Sequence, residues 1–511
     1  MLCLNRLCYA NLLLLIGCLL FAACGEDDSP EILPPTPNLT FDGGDQTSAQ
    51  RGDTVTITLN IQAESGIASL TADGTAVNIT VGETTATPTY EYIVAPDAAL
   101  EDVTIDFVLR DQDDREITET YTISVQGATV EVSDDIEEDF TMVTGNRYVL
   151  TADIDVQAGA TLTIEPGVIV AARYADDGLE SDDPAKTRYR LAVDAGATIV
   201  ANGTADNPIV MTSERAADGN AQPGDWIGLR IDGQDGSSSG SLTYVRIEYG
   251  GAIIEGGDTE PAFRVQTVDA TTTIDYVQVF RSLDIGAELR GGSVNLKHLM
   301  LTECNNAAVE FDDQDGVPYT GNIQYLIVQS SQQLEKDLRD MEIRDDASVR
   351  IANMTMIGSG DDAADGDLAA IRVRDDAGGM LLFNSIIAEY SDDGLRMDDP
   401  SGITDINGEF VLAHSYLFQI GDDATRDDSD PESLPLPFET DAAAYFVTIA
   451  EEAPAESVGI DVGDYTPDAE ISSQYNPTDL GDFFEEASFV GAVGSEDWTT
   501  GWSVNTEGNV N

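Results

Sequence analysis

The sequence predicts an all-β chain, a small β-sandwich followed by a parallel β-helix with a C-terminal cap. Three observations predict it. Polar and apolar residues alternate in short runs along most of the chain. From about residue 144 onward, imperfect repeats recur at spacings of 20–37 residues, separated by Gly-, Asp- and Ser-rich turns. No stretch of the body keeps a helical period over any length.

The first 37 residues read as an address and a tether. Arg6 precedes an apolar run ending at Phe21, and Ala22-Ala23-Cys24-Gly25 follows. A basic start, a short apolar centre and small residues before the cut describe a secretory signal over residues 1–23. The run is too short for a comfortable transmembrane span. Cys24 after two alanines resembles a bacterial lipobox, with Phe21 where Leu is usual, and this implies a lipid on Cys24 and attachment to the outer membrane. Gly25-Glu26-Asp27-Asp28 resembles the surface-export signal of Bacteroidota lipoproteins, so the expected location is the outer face. Pro30, Pro34, Pro35 and Pro37 make residues 24–37 a stiff extended tether.

Residues 38–127 are the expected sandwich. Thr54–Leu59, Tyr90–Val94, Val103–Val108 and Ile117–Val125 alternate, with a polar turn at 111–115. The segment resembles the immunoglobulin-like spacers of bacterial surface proteins. Arg51-Gly52-Asp53 reads as a turn before a strand rather than as an adhesion tripeptide.

Residues 128–430 carry two alternating strand types. One centres on an aromatic, His or Asn: Tyr244, Tyr276, His298, Tyr325, Asn353, Asn384 and His414. The other is a quartet such as Gly228-Leu229-Arg230-Ile231, Ala370-Ile371-Arg372-Val373 or Gly394-Leu395-Arg396-Met397. Its second and fourth residues are apolar and its third is charged, so a period of two points the apolar pair inward. Single coils cannot bury such a face alone, and stacking completes the core. At about 4.8 Å per coil, roughly nine coils make a rod about 40–45 Å long.

Several phrases then become specific: Ile164-Glu165-Pro166-Gly167-Val168, Asn202-Gly203-Thr204, Gly224-Asp225-Trp226-Ile227-Gly228 and Asp497-Trp498-Thr499-Thr500-Gly501-Trp502. They resemble the right-handed β-helix surface proteins of the pectate-lyase-like superfamily, and most closely an uncharacterised Bacteroidota lipoprotein group. That resemblance implies architecture more than activity, because the superfamily includes lyases, hydrolases, adhesins and inert scaffolds.

Charge narrows the partners. With 24 Lys+Arg against 95 Asp+Glu the formal charge is -71, which repels nucleic acid. The skew of 61 Asp to 34 Glu and 21 Arg to 3 Lys fits either a high-salt habitat or an acidic secreted protein. Only Cys304 lies in the body, so no internal disulfide framework exists.

Stacking the quartets aligns Arg230, Arg264, Glu288, Glu310, Glu342, Arg372 and Arg396 on one outer row. Asp232, Gln266, Arg290, Asp312, Arg344, Arg374 and Asp398 form the next. Seven of the 24 cationic side chains share this face. The first reading is cross-coil ion pairing, which relieves like-charge stacking. The functional reading is a groove in which Arg344, Arg372, Arg374 and Arg396 hold the carboxylates or hydroxyls of a glycan. A lyase version takes Arg372 or Arg396 as base and places Ca²⁺ on neighbouring aspartates. The densest oxygen cluster, Asp361, Asp362, Asp365 and Asp367, is the Ca²⁺ candidate. His298 and His414 occupy equivalent strand positions and read as a corner ladder rather than as catalysts.

Residues 431–511 read as an acidic loop and a cap, with Phe483, Phe484, Phe489, Trp498 and Trp502 as its packing. The expected role is a non-enzymatic binding or adhesion scaffold, with glycans as the expected ligand. The alternatives are a Ca²⁺-dependent polysaccharide lyase and an accessory subunit of an outer-membrane uptake complex. Its expected partners are therefore an extracellular polysaccharide or an outer-membrane protein.

Overall fold

The computed structural model describes residues 35–511 apart from 97, 235, 255–257, 331–338, 360–368, 398–409, 421–424, 428–446, 451–459, 461–464 and 469. Two compact units result, residues 1–125 and 126–511. Among the described residues no helix is long and apolar enough to cross a membrane.

In the first unit, alternation along Thr54–Gln62 buries Ile57, Leu59 and Ile61. This strand pairs antiparallel with Asn38–Phe41, Thr85–Ala86 and Thr89–Ile93. A second sheet runs in the order Gln46–Gln50, Glu116–Gln126, Asp102–Asp111, Ile67–Ala72, Thr75–Ala76, its last four strands antiparallel. Residues from both sheets close one core, where Phe107 meets Phe41 and Tyr90 edge-on at 5.5 Å. Arg51–Asp53 is the expected turn: the Asp53 carboxylate accepts from Gln50 N–H at 2.8 Å, and Arg51 Nε donates to Ala98 O at 2.8 Å.

The second unit is a parallel β-helix. Strands pair in parallel with their counterparts in the next coil, building a 16-stranded and an 11-stranded sheet, the latter including the short antiparallel strand Val317–Pro318. The quartet rule holds inside: Leu229 with Ile231, Val309 with Phe311, Met341 with Ile343, and Ile371 with Val373 are all buried. Each such side chain contributes roughly 1.5–3 kcal/mol on leaving water. The coils approach so closely that a Cβ on Gly228 would lie 2.0 Å from Ala262 O, which explains the glycine in that phrase.

The corner between the two segments of the larger sheet changes along the stack. In early coils it is a loop: Thr161–Ile164 and Ile169–Ala172 are separate strands, as are Thr198–Asn202 and Ile209–Ser213. From Gly240–Glu248 onward it shrinks to one residue in the left-handed region. Tyr244, Tyr276, His298, Tyr325, Asn353, Asn384 and His414 hold it, with φ between 45° and 65°. A non-glycine residue there costs roughly 1–2 kcal/mol. Stacking on the next rung offsets part of that, since aromatic pairs contribute about 0.5–1.5 kcal/mol. Tyr244 lies 4.3 Å from Tyr276, Tyr276 4.1 Å from His298, and His298 4.6 Å from Tyr325, their ring planes nearly parallel.

The tail differs from the expected end cap. Its aromatics do pack, and Trp502 is fully buried, but the described residues of 465–511 lie along the flank of the stack. They run back from the rung of Asn384, which donates to Tyr475 O, to the rung of Tyr244, which Trp502 meets edge-on at 5.7 Å. The reason is an outward apolar strip, Met300, Ile327, Ile357, Ile386 and Ala388, which Val490, Ala492 and Val493 cover.

Candidate functional site

The register aligns the first charged row as read: Arg230, Arg264, Glu288, Glu310, Glu342, Arg372 and Arg396 pair in succession. Asp232, Gln266, Arg290 and Asp312 align beside it. Arg344 N–H donates to Phe311 O and Arg374 N–H to Ile343 O, continuing that second row. Asp398 lies outside the described residues, as do Cys24 and the whole Asp361, Asp362, Asp365, Asp367 cluster.

These side chains point outward yet are far from solvated. Glu288, Glu310, Asp312 and Glu342 are all buried, and the arginines neutralise them. Arg264 Nη1 lies 2.7 Å from Glu260 and its Nε 2.5 Å from Glu288. Arg290 Nε is 3.5 Å from Asp312. Arg344 Nη2 lies 2.8 Å from Asp312 and 3.8 Å from Glu310. Arg374 pairs with Glu342 and Asp375, and Arg396 with Asp392 and, at 2.8 Å, with Asp393. Arg372, in register between Glu342 and Arg396, is engaged as well.

The pairing differs in detail from simple neighbour matching. Glu310 is held by Arg339 at 2.6 Å, and Glu342 by Arg339 and Arg374. Pattern reading passes over Arg339 because strict alternation puts it on the inner side with Met341 and Ile343. At the first residue of its strand that alternation is relaxed, and the guanidinium reaches the outer carboxylates.

This arrangement separates two adjacent carboxyls. Burial, then the Glu342 charge, pushes Glu310 up to about 8. Glu342 moves down: burial opposes this, but the Arg374 hydrogen bond and the Arg339 charge outweigh it. Arg344 and Arg374 are raised above their already high values, burial being outweighed by Glu310 and Asp312 in one case and by Glu342 in the other.

Among the described residues, Asp312, Asp313 and Asp345 bring carboxylate oxygens within 4.8 Å of one another. Burial, then Asp312, raises Asp345. Both Asp312 and Asp345 stand out in the sequence, but their approach depends on which turn follows each strand. The Arg344 guanidinium already supplies countercharge to Asp312.

The histidines stand in the corner ladder. His298 is stacked between two tyrosines, with Nδ1 2.7 Å from Asp275 Oδ1. Burial lowers His414, which stacks on Tyr475 at 5.3 Å. Cys304 is buried, as a packing residue would be. The Asp225 side chain in the Gly-Asp-Trp phrase is an acceptor hub rather than a site: it takes hydrogen bonds from Ser181 Oγ at 2.5 Å, Ser213 Oγ at 2.6 Å and Gln222 N–H at 3.1 Å.

Comparison with curated proteins finds no match for the chain. The family model described as the pectate-lyase-like beta helix domain matches residues 134–238 and 234–467. These matches take in both charged rows, the corner ladder and well over half the chain, so the protein belongs to the pectate-lyase-like β-helix domain family.

Proposed function

We propose that the protein is a surface-exposed lipoprotein, anchored to the outer membrane through Cys24, whose β-helix is a non-enzymatic scaffold for binding glycans. The family supports a carbohydrate-related role. The observation that carries the non-enzymatic reading is the neutralised ladder: Arg344, Arg374 and Arg396 each contact carboxylates. Of the two arginines a lyase would use as base, Arg396 already holds Asp392 and Asp393, and Arg372 is engaged as well. A face already rich in internal countercharge suits hydroxyl-rich or weakly charged glycans better than polyuronates.

One observation favours the second reading, a Ca²⁺-dependent polysaccharide lyase. Asp312, Asp313 and Asp345 converge beside Arg344, an oxygen-only donor set of the kind Ca²⁺ takes. The test is the absorbance of unsaturated products when the full chain meets a panel of uronate polysaccharides with Ca²⁺, run beside glycan capture. Capture without any absorbance rise supports the scaffold. A rise abolished by Arg372→Ala or Arg396→Ala overturns it in favour of the lyase. Co-purification with an outer-membrane protein, without glycan capture, would instead make it an uptake-complex subunit.

A further inference from the structure

The flank beneath residues 465–511 holds that segment by its main chain as well as through the apolar contacts of Val490, Ala492 and Val493. Val504 N–H donates to Gln278 Oε1 at 2.8 Å while Gln278 Nε2 donates to Val504 O at 2.7 Å. Gln324 treats Glu485 in the same way, at 2.8 Å and 3.1 Å. A side-chain amide that pairs with both main-chain groups of one residue makes the contacts an adjacent β-strand would make. Asn353 Nδ2 donates to Phe489 O at 2.7 Å, and Thr355 Oγ1 accepts from Ala492 N–H at 2.8 Å. Arg246 and Arg281 donate to Trp502 O and Thr506 O at 2.8 Å and 2.9 Å.

The segment has little structure of its own. Its described regular elements are the two-residue strands Ile471–Ser472 and Phe489–Val490, the single turn Pro477–Leu480 and a bridge between Val504 and Val510. Its conformation is therefore set by the flank, as in a peptide that orders on binding. Sequence enters through anchors: Trp498 and Trp502 meet the ring ladder edge-on, and Glu485 pairs with Lys297.

We infer that this flank is a binding site for an extended peptide, occupied in the single chain by residues 465–511, and that the same segment of a second copy takes its place by exchange. The ring anchors and the Lys297 pair are matched to this segment, which singles out an identical chain as donor. Tethering gives the cis segment a high effective concentration, so exchange needs either a crowded surface or release of the tether. The product is a reciprocally swapped pair, the symmetric outcome of exchanging identical elements.

The test inserts a protease recognition sequence between Ala455 and Glu456 of the full chain, beyond the last strand Val447–Ala450 of the larger sheet, cuts it, and adds fluorescent peptide 465–511. The expected result is one labelled peptide per body, displaced by unlabelled peptide, with the strand signal in circular dichroism unchanged. Gln278→Ala with Gln324→Ala should weaken uptake by about tenfold or more. If the cut protein keeps its own tail and never takes up label, or loses its strand signal as the tail leaves, the segment is core and the inference fails. Equal uptake of a scrambled peptide would overturn the identical-chain assignment, because the flank would then read any extended chain.

Discussion

Glu310 and Glu342 occupy register-paired positions on successive coils and are clamped by one guanidinium, that of Arg339. The pair explains how three stacked glutamates, Glu288, Glu310 and Glu342, coexist in a buried row. One of them keeps its proton far above the ordinary range, so the row carries less charge than its sequence suggests.

That proton makes stability depend on pH. The Glu310 pKa rises from 4.5 in the unfolded chain to about 8 in the folded one, so the folded state holds the proton more tightly. Its contribution is fully present below about pH 4.5 and is lost as pH rises through about 8. Glu342 has the opposite sign, and its contribution fades as pH falls through its lowered folded value. Glu310→Gln keeps a hydrogen-bonding neutral group and removes the first dependence. Denaturant midpoints of the two proteins should therefore diverge from pH 5 to pH 9, with the variant gaining on the order of 2 kcal/mol relative to wild type. A constant difference over that range would sink the assignment.

Arg339→Met tests the clamp. At pH 9, where Glu310 has lost its proton, removing it leaves two buried carboxylates short of countercharge, and breaking such a network costs about 3–5 kcal/mol. The cost should shrink when Glu310→Gln is already present, because one carboxylate no longer needs compensation. A double-mutant cycle by chemical denaturation checks this, and strictly additive losses would argue against coupling.

How far the sequence exposes this molecule depends on how local each feature is. The quartet pattern places Arg372 and Arg396 in one row because strand alternation and coil stacking are nearest-neighbour rules. The burial of Glu310 is not local: it depends on Arg339, which breaks alternation at a strand start. The flank position of residues 465–511 is hidden for another reason. Gln278 and Gln324 bind main-chain groups, which leave no side-chain pattern in the bound segment. The Asp361 cluster lies outside the described residues, so its reading as a cation site stays a proposal.

The corner ladder predicts an ordering of substitutions at His298. Its φ of 45° is left-handed, and Asn353 and Asn384 hold equivalent corners. His298→Asn therefore keeps a tolerated backbone and loses ring stacking, about 0.5–1.5 kcal/mol, together with the Asp275 contact that His298→Val loses as well. His298→Val adds a β-branched residue in a conformation it resists and should cost about 2 kcal/mol or more. Thermal melts rank the two. Trp498, 5.0 Å from the ring, gives a fluorescence change in both, so equal stability losses would show that backbone conformation does not govern this corner.

Asp225→Asn should loosen the segment 173–189 while leaving the stack folded. The carboxylate accepts from Ser181 of that segment, and Arg188 from the same segment donates to Gly224 O at 2.7 Å, next to Asp225. Arg188 also donates to Ser181 O at 2.6 Å and Asp183 O at 2.9 Å, so these two side chains pin the middle of the segment while Arg173, paired with Glu131 and Glu214, holds its start. An amide has one acceptor oxygen where four donors converge: Ser181, Ser213, Gln222 and Arg215. At least one buried donor is then left without a partner, at a cost of about 1–3 kcal/mol. Hydrogen exchange should quicken in residues 173–189 and stay slow in Ile371–Val373, deep in the stack. Uniform acceleration would mean that Asp225 supports the whole helix, and no acceleration would mean that Arg188 alone holds the segment.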